Sequence, residues 1–342
     1  MKKLLALLLS LILVMSLFAA CGDTSNTNDD ENIGGTLEEA DKADTAEPVT
    51  INIASMKGPT TMGMVKLMDD SDNGLTANKY ATTIYGTADE IVPKIVNGEI
   101  DIANVPANLA SILFKKTEGK ISVIDINTLG VLYIVETGDT IKSVADLKGK
   151  TIYSTGKGTT PEYTLNYILK SNGIDPATDV AIEFKSEATE VAAMLEGAEN
   201  AVAVLPQPYV TVAMTKNANI RIALNLVEEY AAIDGSQMVT GVTIARNEFI
   251  ENNPEALKLF MADYKASVEY VNANTDEAAA LVGKYDIVAE GVAKKALPMC
   301  NIVYITGEEM KTNIETYLTV LLNSDPTAVG GALPDDSFYY IG

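Results

Sequence analysis

The chain has 342 residues, 47% of them apolar, enough for two lobes of roughly 150 residues each. Its 25 Lys and Arg face 47 Asp and Glu, a net charge of −22, so nucleic acid and anionic membrane surfaces repel it at long range and are poor partners. There is no histidine, which excludes His-built metal centres and His-based catalytic triads; no metal and no cofactor is expected.

Met1-Lys2-Lys3 and the apolar run over 4–20 have the make-up of an export signal, which stops at Cys21. The run is at the short limit for spanning a bilayer. Leu17-Phe18-Ala19-Ala20-Cys21-Gly22 resembles the lipobox of bacterial lipoproteins, in which the peptide is cut before the Cys and that Cys receives the lipid; Phe18 stands where Leu is more usual. The expectation is therefore a signal peptide over 1–20, then a lipidated Cys21. Over 22–47 the chain is Asp, Glu, Asn, Thr, Ser and Gly with little to bury, a tether that cannot offset the entropy of ordering. Cys300 is left without a partner in the mature chain and reads as a small buried hydrophobe.

The body opens with a strand over 49–55, a loop Met56-Lys57-Gly58-Pro59-Thr60-Thr61, and a helix through Met62, Val65, Leu67 and Met68. A helix starting at a strand's C-terminal end points unpaired N–H groups above the sheet, Pro59 suits its first position, and Thr60 and Thr61 add hydroxyls. The acidic run from Asp69 to Gly74 is not a calcium loop, because its twelfth position is Tyr80 rather than Glu. Next come a strand over 82–86, a helix over 88–96 with Thr87 and Glu90 spaced as a capping box, and a strand over 100–105. A helix opened by Pro106 follows, then strands over 121–126 and 131–136. This βαβ order predicts a largely parallel sheet with helices on its faces.

A second lobe is expected from Gly138, with a strand over 151–155. After it, Thr155-Gly156-Lys157-Gly158-Thr159-Thr160-Pro161-Glu162 echoes the opening loop, although Gly, Pro and Thr are what any such turn uses. A helix through Leu165, Ile168 and Leu169 ends at Asn172-Gly173. A strand over 181–184, a helix over 187–195 and a strand over 201–205 lead to Pro206-Gln207-Pro208-Tyr209, a further strand-to-helix turn, with a last strand over 221–226. The pattern over 237–245 is strand again. Helices over 254–271, 276–283, 288–297 and 308–322 are expected to pack on the first lobe, giving lobe one as 48–137 with 240–342 and lobe two as 138–239.

In this order, the lipobox and tether, the strand-loop-helix, Gly98-Glu99-Ile100-Asp101-Ile102-Ala103, Asp146-Leu147-Lys148-Gly149-Lys150, and the return strand with Asn247-Glu248-Phe249 and Asn253-Pro254-Glu255 resemble the solute-binding proteins of bacterial ABC importers, nearest their nitrate, sulfonate, taurine and thiamine-precursor branch. The resemblance covers nearly all of 48–323 and lies in the order of the segments rather than in one motif. It implies an α/β, two-lobed periplasmic-binding-protein-like fold with two crossover segments, a ligand cleft between the lobes, and hinge closure on binding. It also implies no catalysis, a permease and through it an ATPase as partners, and a monomer held on the extracytoplasmic face of the membrane by its lipid.

Ligands of open α/β sheets sit beyond the C-terminal strand ends. The expected site is therefore Thr60 and Thr61 with their amides, Tyr85 stacking on a planar group, Asn104, Thr159, Thr160 and Gln207, with Lys57 and Lys157 as candidate counter-charges. Asn104 has the alternative of capping the helix at Pro106. Arg221 and Arg246 are the only arginines, which argues against a strongly charged tetrahedral anion, since such ligands favour the guanidinium fork. A small carboxylate- or sulfonate-like solute or a planar heteroaromatic vitamin precursor stays open. The competing readings are an enzyme on the same two-lobed fold acting on a small organic acid, and a surface protein that binds a macromolecule.

Overall fold

The computed structural model describes residues 48–342, so the expected signal, Cys21 and the tether lie outside the described residues. β1 (Thr50–Met56) runs into Gly58, whose φ of 139° is closed to other residues, and Pro59 then starts α1 (Pro59–Met62), followed by α2 (Val65–Asp72). β2 (Lys79–Tyr85), α3 (Ala88–Val96), β3 (Ile102–Pro106), α4 (Ala107–Lys116) and β4 (Ile121–Leu129) follow. The capping box at α3 is formed, with Glu90 accepting the Thr87 N–H at 3.1 Å. Next are β5 (Leu132–Thr137), β6 (Thr151–Ser154), α5 (Thr160–Ser171), β7 (Ala181–Phe184), α6 (Ala188–Glu196), β8 (Val202–Pro206), α7 (Tyr209–Lys216), β9 (Ile220–Asn225) and α8 (Leu226–Asp234). The chain closes with β10 (Val239–Arg246), α9 (Asn247–Asn252), α10 (Pro254–Ala273), α11 (Thr275–Lys284), α12 (Glu290–Ala296), β11 (Ile302–Ile305) and α13 (Gly307–Ser324).

The strands form two sheets, ordered β11-β4-β10-β3-β1-β2 and β7-β6-β8-β5-β9. Neither is largely parallel as expected. β1 is parallel to β2 and β3, and β6 to β7 and β8, but β10, β11 and β5 pair antiparallel with their neighbours. The reason is topological: β5 and β10 each arrive from the other sheet, so neither is joined to a neighbour in its own sheet by the helical crossover that keeps successive strands parallel. β5, expected in the first lobe, belongs to the second sheet; all six of its residues are buried, so no alternation marks which core it faces.

The two connections between the sheets therefore run through Gly130 and through the segment between α8 and β10. They touch: a Cβ on Gly130 would lie 2.7 and 2.9 Å from the Val227 methyls and 3.2 Å from Met238 Cβ. Asn301, at φ 42°, donates its amide to the Gly130 carbonyl and accepts the Leu129 N–H, pinning the first connection.

On one face of the first sheet α10, α11 and α12 bury Phe260, Tyr264 and Val282 against Ile51, Ile53 and Met62. The buried Cys300 is in this core, its thiol pushed up to about 12 by burial. The acidic end of α2 is tied to α11, with Asp69 accepting from Lys284 at 2.7 Å and Asp72 from the Tyr285 hydroxyl at 2.7 Å. α13 departs from expectation by reaching both lobes. Its Tyr317 shares a core with Leu113 and Val242, yet also lies 6.1 Å, ring to ring, from Tyr230 of α8, and Lys170 of α5 donates to the Ser324 carbonyl at 3.2 Å.

In the second lobe, Arg221 on β9 pairs with Glu136 on β5, which is 2% exposed. Burial alone would raise the Glu136 pKa; the N–H groups of Ile141 and Thr140, the Thr140 hydroxyl and the Arg221 charge outweigh it and hold the carboxyl below its usual range. Arg221→Met strands that carboxylate and is expected to cost about 3 kcal/mol in urea unfolding, the low end for a buried pair because the Arg221 side chain is 33% exposed. A loss under about 0.5 kcal/mol would place this ion pair with ordinary surface pairs.

Candidate functional site

Loops leaving the C-terminal ends of β2 and β3 in the first sheet meet those leaving β7 and β6 in the second. Asn108, at the head of α4, donates its amide to the Gly158 carbonyl at 3.3 Å, and the Glu187 carboxylate lies 2.8 Å from where a Cβ on Gly86 would stand. These contacts draw the two sets of strand ends together across a cleft.

On the first-lobe side, Thr60 and Thr61 are buried and both hydroxyls donate to the Met56 carbonyl, at 2.9 and 2.5 Å. What they keep for a ligand is acceptor capacity. Tyr85 is half-buried at the end of β2, in register with Met56, and its carbonyl accepts the Lys57 N–H at 2.8 Å; Lys57 itself is half-buried. Asn104 does not cap α4, whose N-cap position is Pro106. It is fully buried beneath the loop, donating to Ser55 Oγ at 3.2 Å and to the Thr60 carbonyl at 3.0 Å, with its Oδ1 2.9 Å from Thr243 Oγ1.

Three residues not anticipated from sequence complete this support. Thr243 Oγ1 lies 2.8 Å from Asp125 Oδ1 and accepts from Asn127 Nδ2 at 3.2 Å. Asp125 is fully buried and burial pushes its pKa up to about 7, against the opposing hydrogen bond of Thr243. Gly241 on β10 lets the loop sit down: a Cβ there would be 2.5 Å from Thr60 Cγ2 and 2.4 Å from Asn127 Oδ1. The available signal was Asp125-Ile126-Asn127-Thr128, polar residues inside an otherwise apolar strand.

The second-lobe loop resembles the first in sequence more than in bonding. Thr159 is half-buried and donates to the Gly156 carbonyl at 2.7 Å, while the Gly158 N–H is taken by the Glu162 carboxylate at 2.5 Å. An anion approaching the head of α5 would meet that carboxylate. Thr160 is buried beside Tyr317 of α13, behind the cleft; Tyr317 is pushed up to about 12 by burial, with the Thr160 and Thr164 hydroxyls acting the other way. Lys157 is exposed, its Nζ 6.0 Å from the Phe184 ring centre. Gln207 is buried, accepting from the Thr211 hydroxyl at 2.8 Å and reaching Met299 Sδ at 3.7 Å.

The structure thus brings Thr60, Thr61 and Tyr85 to one side of the meeting strand ends and Thr159 to the other, with Gln207 against Met299 and Asn104 and Thr160 behind. Both arginines are engaged elsewhere: Arg221 with Glu136, and Arg246 with Asp101 and Glu248, each at 2.8 Å. A surface cavity of about 670 Å³ lies at the opposite end of the first sheet, beside Asn97, Lys120 and Arg246 and away from these loops. Among the described residues no group of three or more metal-ligating side chains occurs, and no helix is long and apolar enough to cross a membrane.

An ABC transporter protein of Parabacteroides distasonis superposes with a TM-score of 0.70 at 23% identity, over 85% of this chain and 99% of that one. The chain has the two-lobed periplasmic-binding-protein fold. Other proteins sharing it include the ligand-binding component of an ABC-type import system from Staphylococcus aureus with zinc bound (TM-score 0.69, 13% identity, 85% and 96% covered) and the alkanesulfonate-binding protein of Xanthomonas axonopodis pv. citri bound to MOPS (0.64, 14%, 85% and 96%). Residues 119–278 match the family described as NMT1/THI5 like. In sequence, 173 residues are 25% identical to a binding protein of Brucella abortus, 51% of this chain and 52% of that one. The chain spans about half the length of the curated relatives it matches.

Proposed function

We propose that the protein is the solute-binding component of an ABC importer, which closes its two lobes on a small organic solute and delivers it to a membrane permease and, through that, an ATPase. The observation that carries this reading is the meeting of strand-end loops across the lobes, Asn108 with Gly158 and Glu187 with Gly86, in a fold shared with import-system binding proteins. A solute drives such closure through its higher affinity for the closed state. Export by the segment over 1–20, lipidation at Cys21 and a tether to the extracytoplasmic membrane face fit this role, as does a monomer.

Of the two solute classes compatible with the sequence, a planar, largely uncharged heteroaromatic is favoured over a carboxylate or sulfonate. Both arginines are paired and Glu162 occupies the amide at the head of α5. What remains for an anion is a helix-terminus bias of about 0.3–1 kcal/mol and the charges of half-buried Lys57 and exposed Lys157.

The test is a thermal-shift screen of residues 48–342 against carboxylates, sulfonates, vitamins and nucleobases, in which a ligand at a hundred times its Kd adds about 2.7 kcal/mol to stability. Thr60→Val combined with Thr159→Val is expected to shrink the shift while the ligand-free melting temperature stays near wild type. Undiminished binding in the double variant would move the site away from these loops.

A further inference from the structure

The cluster beneath the first loop holds one hydrogen atom too few if Asp125 is ionised. Thr243 Oγ1 has a single proton, yet it stands 2.9 Å from Asn104 Oδ1 and 2.8 Å from Asp125 Oδ1, both acceptors when the acid is a carboxylate. One of these two short contacts would then be oxygen against oxygen with nothing between them. A proton on Asp125 removes the conflict. The acid donates to Thr243 Oγ1, which also accepts from Asn127 Nδ2, and the Thr243 proton is free for Asn104. Asp125 Oδ2 has no partner, a state a neutral carbonyl oxygen bears far better than half of a buried carboxylate.

We infer that Asp125 is a positioning residue for the solute loop: as a neutral acid it fixes the Thr243 hydroxyl on Asn104, whose amide in turn holds the Thr60 carbonyl and Ser55. Ionisation turns the Thr243 proton back to the carboxylate, strips Asn104 Oδ1 of its donor and loosens the loop. Solute binding therefore weakens as the pH rises through the Asp125 pKa. This inference rests on the reading of 57–61 as a wall of the solute cleft, but the loop's dependence on Asp125 does not.

The titratable groups facing Asp125 are Tyr264 from α10 and Tyr304 from β11; burial raises both, so both stay neutral while Asp125 titrates. β3 and β10 contribute the uncharged Asn104 and Thr243. The acid has no cation partner among the described residues, and its pKa near 7 sets the window in which the loop responds.

The experiment is amide hydrogen exchange over 57–62 in the full chain without ligand, expressed as protection factors at about pH 6 and about pH 8.5. Wild type is expected to lose about thirtyfold protection between the two, the change that one and a half units beyond a pKa brings. Asp125→Asn, whose amide donates to Thr243 as the neutral acid does, should show the same protection at both. Thr243→Val should be poorly protected at both, and Thr243→Ser should restore the wild-type profile. A pH-independent wild-type loop, or an Asp125→Asn variant that follows wild type, overturns the inference. Should that variant fail to fold, the carboxyl carbon shift of Asp125 in wild type decides: a midpoint in the ordinary carboxylate range overturns it and one near neutrality supports it. If solute binding survives loss of Thr60 and Thr159, the cleft assignment falls while the exchange result stands.

Discussion

Asp125→Asn is expected to make the protein more stable than wild type above pH 7 and to leave it nearly unchanged at about pH 4, as read from urea unfolding. The sign follows from the direction of the shift. The Asp125 pKa rises from 3.8 when free to about 7 when folded. Below the free value both states carry the neutral acid and burial costs nothing. Between the two values the unfolded chain ionises and the folded one does not, so stability contributed at this site falls by about 1.4 kcal/mol per pH unit and levels off above pH 7. Three units give a penalty of about 4 kcal/mol that asparagine escapes. Other carboxylates, Glu136 and Asp179 among them, have lowered pKa values and push total stability the opposite way, so the informative quantity is the difference between variant and wild type at each pH. A difference that does not change with pH would mean that Asp125 ionises as an ordinary surface acid.

Gly241→Ala is the second large effect. Its methyl would intrude on Thr60 Cγ2 and Asn127 Oδ1, and neither can yield cheaply: Thr60 is β-branched and bonded to Met56, and Asn127 is bonded to Thr243. Overpacking of this kind costs about 1–3 kcal/mol. Because the displaced side chain belongs to the loop proposed as the cleft wall, affinity for the ligand found by the thermal screen should drop at least about tenfold by calorimetry. Gly197→Ala, with nothing within 4 Å of the new methyl, is the matched control and should change neither quantity. Equal affinity in both variants would remove Thr60 from the binding surface.

The sequence carried the succession of elements well, because Gly58-Pro59, the Thr87 and Glu90 pair and Gly156 to Pro161 mark helix starts by local chemistry that the fold leaves intact. Strand direction was less legible, since β5 and β10 are set by a crossover between sheets that leaves no local trace. α8 went unread because Leu226 continues the apolar run of β9, and only the Asn225 side chain, accepting the Val227 N–H, marks the change. At the site, the residues proposed for the loop surfaces were chosen from their positions at strand ends. Asn104 and Thr160 could not be told from ligand contacts, since which way a buried side chain turns depends on Thr243 and Tyr317, partners more than a hundred residues away in sequence. The echo of Lys-Gly-Thr-Thr-Pro misled in one respect: Glu162 quenches at the second loop the amide that the first loop's sequence has no acid to reach.

Gly130 bears on how the lobes part. The two passages of chain between them are separated there by a hydrogen atom, against Val227 on one side and Met238 on the other. Two such passages cannot slide past each other or spread independently without prising Val227 out of its contact. The absence of a side chain at Gly130 is what lets the two passages lie against each other there.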